Sequence, residues 1–322
     1  MNAFWKNRSV LVTGASGFIG SHLASELLSF GANVVAMLDK DASFARLDGM
    51  RSKISIQRAD EWDYKNLKKI LHHVKPSVIF HLRAVVNQES VNDKRKSFWQ
   101  VNVEDTKELA RASADIELES FVNAGTIAEY GASGAPFKED AKAKPISAYG
   151  ETKLAATNWL KSFSREKLFP AIMIRSSVVY GPGQNIHTYL VPNVIMNCIR
   201  GEDFRVMSNG LQTRDPLYLD DDVRGLILAA SEPKAIGEII NLGLGEERAV
   251  IDIARLINKL MGNPISIEAG EKNSRTEENK NYWHDTSKAR RLLGWFPKFS
   301  LEDGLKTTIK WYKEYFKKYG AK

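Results

Sequence analysis

The chain of 322 residues is 43% hydrophobic and 26% charged, which excludes a disordered, fibrous or disulfide-stapled miniature protein and leaves room for one large or two modest domains. No stretch reaches the ~18 uncharged apolar residues needed to span a bilayer, and the opening MNAFWKNRSVLVTG enters a strand without the apolar core of a signal peptide. A soluble, cytoplasmic protein with no membrane partner is expected. The net charge of +7 suits either nucleic acid or an anionic small molecule, and the single Cys198, inside VPNVIMNCI, reads as a buried inert thiol.

Apolar runs rich in β-branched residues at 9–12, 33–38, 54–57, 78–82, 121–124 and 171–176 read as strands, with amphipathic segments of helical period between them. Strand and helix alternating in this way predict an α/β fold, a doubly wound parallel sheet covered on both faces. After Tyr180 the turn cluster GPGQN interrupts the alternation, and helical patterns at 187–200, 222–231 and 250–261 predict a smaller mixed α/β lobe. The expected division is 1–180 and 181–322, with the chain crossing back to the sheet at a strand near 239–242. Asp220, Asp221 and Asp222 are expected to cap the helix from Val223, and 268–280 reads as an exposed loop. The segment 301–322 carries Lys306, Lys310, Lys313, Lys317, Lys318 and Lys322 around an apolar stripe of Leu305, Ile309, Tyr312 and Phe316, a surface helix with a solvated lysine face. No nucleic-acid signature accompanies it, so no nucleic-acid partner is expected.

The first strand runs into Gly14-Ala-Ser-Gly17-Phe18-Ile19-Gly20 and then the helical SHLASELLSF. Gly14 permits a tight turn, Gly17 lets backbone approach a pyrophosphate, and Gly20 allows close packing of helix on sheet, while the free N–H groups near Gly17 to Ile19 favour an anion. Asp39 closes the second strand 19 residues after Gly20, where a carboxylate takes the adenosine ribose and repels a 2′-phosphate. That favours NAD; Lys40 and Arg46, either of which can serve a 2′-phosphate, keep NADP open.

Tyr149 and Lys153 in YGETK lie four apart, one turn along one helix face. A phenol with pKa near ~10 is a weak base at neutral pH, and an ammonium beside it stabilises the phenolate.

Taken together, GASGFIG, Asp60, HLRA at 81–84, VNV around Asn102, GTIAEYG at 125–131, YGETK, RSSVVYGPGQ, RDPLYLDD and the closing DTSKARRLLGWFP resemble the extended short-chain dehydrogenase/reductase family of nucleotide-sugar epimerases, dehydratases and ketoreductases, over nearly the whole chain. The resemblance implies a Rossmann dinucleotide-binding domain and a substrate lobe for a nucleoside-diphosphate sugar. It implies that Thr126, Tyr149 and Lys153 are catalytic, with Thr126 bonded to the sugar oxygen whose proton Tyr149 removes and Lys153 also holding the nicotinamide ribose. It places Asp60, with Glu61, at the adenine, and Leu82, Arg83, Ala84 and Asn102 along the cofactor. Arg83 stands where alanine is usual, and reach to the pyrophosphate, influence on cofactor choice and a plain surface arginine all remain open.

Family 4,6-dehydratases carry an extra acid/base pair after the catalytic Thr. Here Ile127 and Ala128 occupy those positions, and Glu129, shifted by one, is expected to point to the other side. That leaves a C4 epimerase using tightly held NAD, or a reductase of 4-keto-6-deoxy sugars using NAD(P)H; Asp39 tilts the reading toward the epimerase. Arg214 matches the family arginine at the substrate diphosphate, Arg275 is a second candidate, and Val178 replaces an asparagine that commonly touches phosphate. The resemblance also suggests a homodimer built on helices near 95–114 and 149–167. The histidines do not cluster, and no metal is expected.

Overall fold

The computed structural model describes residues 2–86, 98–270 and 281–320. Six parallel strands form where the apolar runs predict them: β1 (Ser9–Thr13), β2 (Asn33–Asp39), β3 (Ser55–Ala59), β4 (Val78–His81), β5 (Ser120–Thr126) and β6 (Ala171–Ser176). A seventh, Ile239–Leu242, returns from the second half of the chain and pairs in parallel with β6, Ile240 opposite Ile174. The order across the sheet is β3, β2, β1, β4, β5, β6 and then the returning strand. Strand order reverses between β1 and β4, which opens a crevice at their carboxyl ends where ligands bind in folds of this kind.

Successive side chains of each strand enter two separate cores. Val10, Val12, Val34, Phe80, Val122, Ile172 and Ile174 face one way, toward helices Phe18–Ser29 and Leu219–Ser231. Leu11, Met37, Ile79, Phe121 and Met173 face the other, toward helices Tyr64–Val74, Asp105–Ser113 and Ala148–Lys167. Continuous apolar strands are the consequence of burial on both faces.

The second lobe has its own core, where Val194 and Ile195 of helix Leu190–Arg200, Ile253 and Ile257 of helix Val250–Leu260, and Leu305, Ile309 and Phe316 of helix Leu301–Tyr319 pack together. Cys198 is buried there, its thiol pushed up to about 11 by burial, an inert thiol as expected. The lysines at 306, 310, 313, 317 and 318 lie on the exposed face of the terminal helix.

Two expectations change. Helix Leu219–Ser231 starts on Tyr218 with no side-chain cap, so Asp220, Asp221 and Asp222 occupy its first turn instead of preceding it. Carboxylates there still oppose the positive end of the helix dipole. Asp221 accepts hydrogen bonds from the backbone N–H groups of Lys298 and Phe299, at 2.8 and 2.9 Å, and so fastens the approach to the terminal helix. That same helix, although beyond 180 in the chain, packs its Val223, Leu226 and Ile227 against the main sheet. In the 268–280 stretch, Glu268 ends a two-residue strand, Ile267–Glu268, and residues 271–280 lie outside the described part of the chain.

Candidate active site

The glycine cradle sits at the carboxyl end of β1. Gly14 has φ +67°, and a Cβ on it would stand 2.8 Å from the backbone nitrogen of Arg83. At Gly20 a Cβ would fall 2.2 Å from the Gly14 carbonyl oxygen, so only glycine lets the helix come this close to the turn. The Gly17 N–H bonds the Gly14 carbonyl at 2.9 Å, and helix Phe18–Ser29 starts on Gly17 without a side-chain cap. The first-turn N–H groups of Phe18, Ile19 and Gly20 therefore lack intrahelical acceptors and are available to an anion. These features fit a dinucleotide pyrophosphate.

At the end of β2, Asp39 is half-exposed, and its Oδ1 accepts from the Trp62 indole N–H at 2.8 Å and from Arg83 Nε at 2.6 Å. Lys40, Asp60 and Glu61 are exposed around it. Arg46 donates to the Gly183 carbonyl at 3.2 Å, across to the turn that follows the short strand Val178–Tyr180.

The segment lining the crevice after β4 is held by buried polar groups. Thr106 Oγ1 donates to the Asn102 carbonyl at 2.9 Å, so it receives Nε2–H of His81, also at 2.9 Å. His81 Nδ1 is then the acceptor from Thr13 Oγ1 at 2.8 Å, which fixes the neutral tautomer, and burial drives the ring pKa well below 6.5. Thr13 Oγ1 in turn accepts the Arg83 N–H at 3.2 Å. Asn102 brackets Val85, accepting from its N–H at 2.9 Å and donating to its carbonyl at 3.1 Å, and also donates to Thr152 of the Tyr149 helix. The structure thus places Leu82 and Arg83 against the cradle, with Asn102 bracing the chain just after Ala84 at Val85.

Ser147 caps helix Ala148–Lys167, its Oγ accepting from the Gly150 N–H at 3.1 Å, which starts the helix one residue before Tyr149. A Cβ on Gly150 would lie 2.5 Å from the Ala128 carbonyl, so this glycine lets the helix press against the turn after β5. Thr126, Tyr149 and Lys153 come together by that approach. The Thr126 hydroxyl oxygen accepts from the Ala128 N–H at 3.3 Å, leaving its proton to give. Burial pushes the Tyr149 phenol above its ordinary value, with the Thr126 hydroxyl pulling it down. Lys153, 3% exposed, is held down to about 8 by burial while the Glu129 charge opposes the shift.

Glu129 is fully buried, and its charge reaches both the Tyr149 phenol and the Lys153 ammonium. Its Oε1 accepts the Thr126 N–H at 3.0 Å and its Oε2 accepts from Arg175 Nε at 2.7 Å, while the guanidinium lies 4.4 Å from the centre of the Tyr130 ring. The sequence does not announce this partner, nor Tyr189, whose hydroxyl raises the Tyr149 phenol, nor Tyr282, whose own phenol is raised by burial and by Tyr149. No local motif marks them, because the three reach the site from separate stretches of chain.

A cavity of about 700 Å³ is lined by Val178, Tyr189, Asn193, Phe204, Gln212 and Arg214, among other residues between 178 and 253. Arg214 Nη1 donates to the Thr213 carbonyl at 2.7 Å, and its guanidinium lies 5.5 Å from the centre of the Tyr282 ring. Val178, the departure from the family asparagine, forms part of this wall. Arg275 lies outside the described residues.

A glycine turn at a topological switch point, a Thr/Tyr/Lys cluster and a second-lobe cavity carrying an arginine are the features of the extended short-chain dehydrogenase/reductase class. The chain belongs to the NAD dependent epimerase/dehydratase family, whose sequence model matches residues 10–243. It is 29% identical over 309 residues to the uncharacterized UDP-glucose epimerase YtcB of Bacillus subtilis, covering 93% of this chain and 96% of the relative. It is 30% identical over 321 residues to the dTDP-D-glucose 4,6-dehydratase of Homo sapiens, covering 96% and 91%. The crystal structure of UDP-glucuronic acid 4-epimerase from Bacillus cereus, in complex with UDP-glucuronic acid and NAD, superposes with a TM-score of 0.85 at 30% identity, over 95% of this chain and 99% of that one. Among the described residues no helix is long and apolar enough to cross a membrane.

Proposed function

We propose that the protein is an NAD-dependent C4 epimerase of a nucleoside-diphosphate sugar that works through a 4-keto intermediate. The observation that carries this reading is the Thr126/Tyr149/Lys153 cluster with no second proton-transferring acid beside it among the described residues, which disfavours dehydration: Ile127 is buried, Ala128 cannot transfer a proton, and the Glu129 carboxylate is spent on Arg175 and the Thr126 backbone. Asp39 tilts the choice toward NAD and epimerisation. The 4-hydroxyl proton passes to Tyr149 Oη, and the Thr126 hydroxyl bonds the same sugar oxygen. Because burial, Tyr189 and the Glu129 charge all raise the phenol, Tyr149 needs a positive neighbour to act as a base, and Lys153, at about 8, is poised to share or pass on the proton. Bound NAD would supply the hydride acceptor, and later the hydride donor, together with that positive charge. Phe18, Ile19 and Gly20 offer its pyrophosphate their N–H groups, and Asp39 takes its ribose. Arg214, on the wall of the cavity, pairs with the substrate diphosphate. A relative bound to UDP-glucuronic acid supports a uridine-diphosphate sugar as the substrate class.

The test is mass spectrometry of nucleotide released from the purified protein, followed by turnover of UDP-sugars by wild type and Tyr149→Phe. Stoichiometric NAD and interconversion of C4 epimers are expected, with kcat falling by about 10²-fold or more in the variant while NAD stays bound. Protein that releases no nicotinamide and consumes NADPH on a 4-keto-6-deoxy sugar would instead make it a reductase.

A further inference from the structure

Arg83 is the residue of the cofactor crevice that the motif does not account for, and its side chain has a specific setting. It is 14% exposed and lies between two carboxylates: Nε donates to Asp39 Oδ1 at 2.6 Å, and Nη1 pairs with Oδ2 of Asp105, which is itself only 4% exposed. Asp105 is held from its other side by Gln100 Nε2, bonded to Oδ1 at 2.9 Å. The guanidinium lies 4.1 Å from the centre of the Trp62 ring, and the indole N–H of that ring donates to the same Asp39 Oδ1 at 2.8 Å. The backbone of Arg83 is anchored as well, through Thr13 Oγ1.

Asp39 Oδ1 is therefore doubly occupied, whereas Oδ2 has no protein partner among the described residues and its side chain is 48% exposed. A free aspartate at a strand end samples several rotamers; one clamped through a single oxygen presents the other in one direction. The guanidinium, shared by two carboxylates and stacked on an indole, offers little to a further anion. Arg58 Nη1 donates to the Asp39 backbone carbonyl at 3.0 Å, so its charge lies behind the strand end while the Asp39 carboxylate faces outward.

We propose that Arg83, with Trp62, is a positioning and specificity residue: it holds Asp39 so that the Oδ2 oxygen receives a hydroxyl of the adenosine ribose and stands where a 2′-phosphate would have to come. This rests on the reading of the crevice as an NAD site. Arg83 thus acts through the ribose hydroxyls and is not a phosphate ligand.

Calorimetric binding to wild type, Arg83→Ala and Trp62→Phe tests it, using NAD, NADP and an NAD analogue whose adenosine is 2′,3′-dideoxy. Wild type is expected to prefer NAD over NADP. Arg83→Ala should bind NAD about tenfold more weakly, the loss expected when a hydrogen bond to a charged group is misaligned, and Trp62→Phe about threefold. On the dideoxy analogue both variants should match wild type, since the bond they support is gone. Trp62→Phe leaves no buried charge unpaired, so it reports even where Arg83→Ala destabilises the fold. Variants that bind NAD as wild type does, or that weaken NAD and its dideoxy analogue equally, overturn the proposal. So does an Arg83→Ala protein that loses NADP and keeps NAD. Wild type that binds neither dinucleotide overturns the cofactor reading together with it.

Discussion

Asp222 is the residue whose environment and charge are most at odds. It is fully buried, its Oδ1 accepts the Ser176 hydroxyl at 2.6 Å, and its Oδ2 has no partner among the described residues, so burial pushes its carboxyl up to about 7. A folded-state value above the unfolded 3.8 means that the stability it contributes is complete below 3.8 and is lost as pH rises through about 7. Asp222→Asn keeps an acceptor for Ser176 and removes the titration. Its Tm advantage over wild type should widen between pH 5 and 7, reach about 2–4 °C, and then level off, as followed by circular dichroism melts. A gap that stays constant across this range would show that Asp222 does not titrate there. Glu129 is the opposite case, a buried carboxylate with both oxygens satisfied. Its partner Arg175 lies 46 residues on, and no local pattern announces it.

The glycine cradle was legible as an element because strand, turn and helix follow one another without a break, and each glycine answers a local steric demand. Gly20 makes the strongest demand. The atoms that an added Cβ would meet, the Gly14 carbonyl and the Ala15 Cα, are all backbone and have no rotamer to change. Gly20→Ala should therefore open the turn, weaken NAD binding about tenfold or more by calorimetry and destabilise the protein by about 1–3 kcal/mol. Wild-type affinity in this variant would mean that the helix can slide without disturbing the anion site. The two-residue strands Phe204–Arg205, Thr213–Arg214 and Arg248–Ala249 left no trace in the sequence, since so short a strand exists only through a partner supplied from elsewhere. The early start of helix Leu219–Ser231 was hidden for a related reason: Leu219 belongs to the main core, and that burial extends the helix past the three aspartates.

Across the whole molecule, the returning strand joins the two halves of the chain. Leu242, 0% exposed, pairs beside Ser176 and packs into the main core close to Gly225, where an added Cβ would touch its Cδ1 at 2.4 Å. Leu242→Ala should lower stability by about 2–5 kcal/mol in urea unfolding, the range for emptying a buried leucine site. If the strand couples the lobes, the transitions reported by fluorescence and by cofactor release should move together. A shift in one alone would show that the strand serves only the sheet.

The sequence by itself determined the parallel sheet, the cradle, the Tyr149–Lys153 spacing and the class of chemistry, because each depends on neighbours within about one strand or one helical turn. Only the tertiary structure decided which residues meet across long separations. It set Glu129 on Arg175, brought Tyr189 and Tyr282 to the phenol, and clamped Asp39 between Trp62 and Arg83. Arg83 shows the difference most clearly. As a letter in HLRA it fits a phosphate ligand, a specificity residue or a surface charge equally well, and the two carboxylates and the indole that surround it come from β2, the segment after β3 and a helix beyond residue 104. Long-range packing, which no local period encodes, sets the direction in which such a side chain can act.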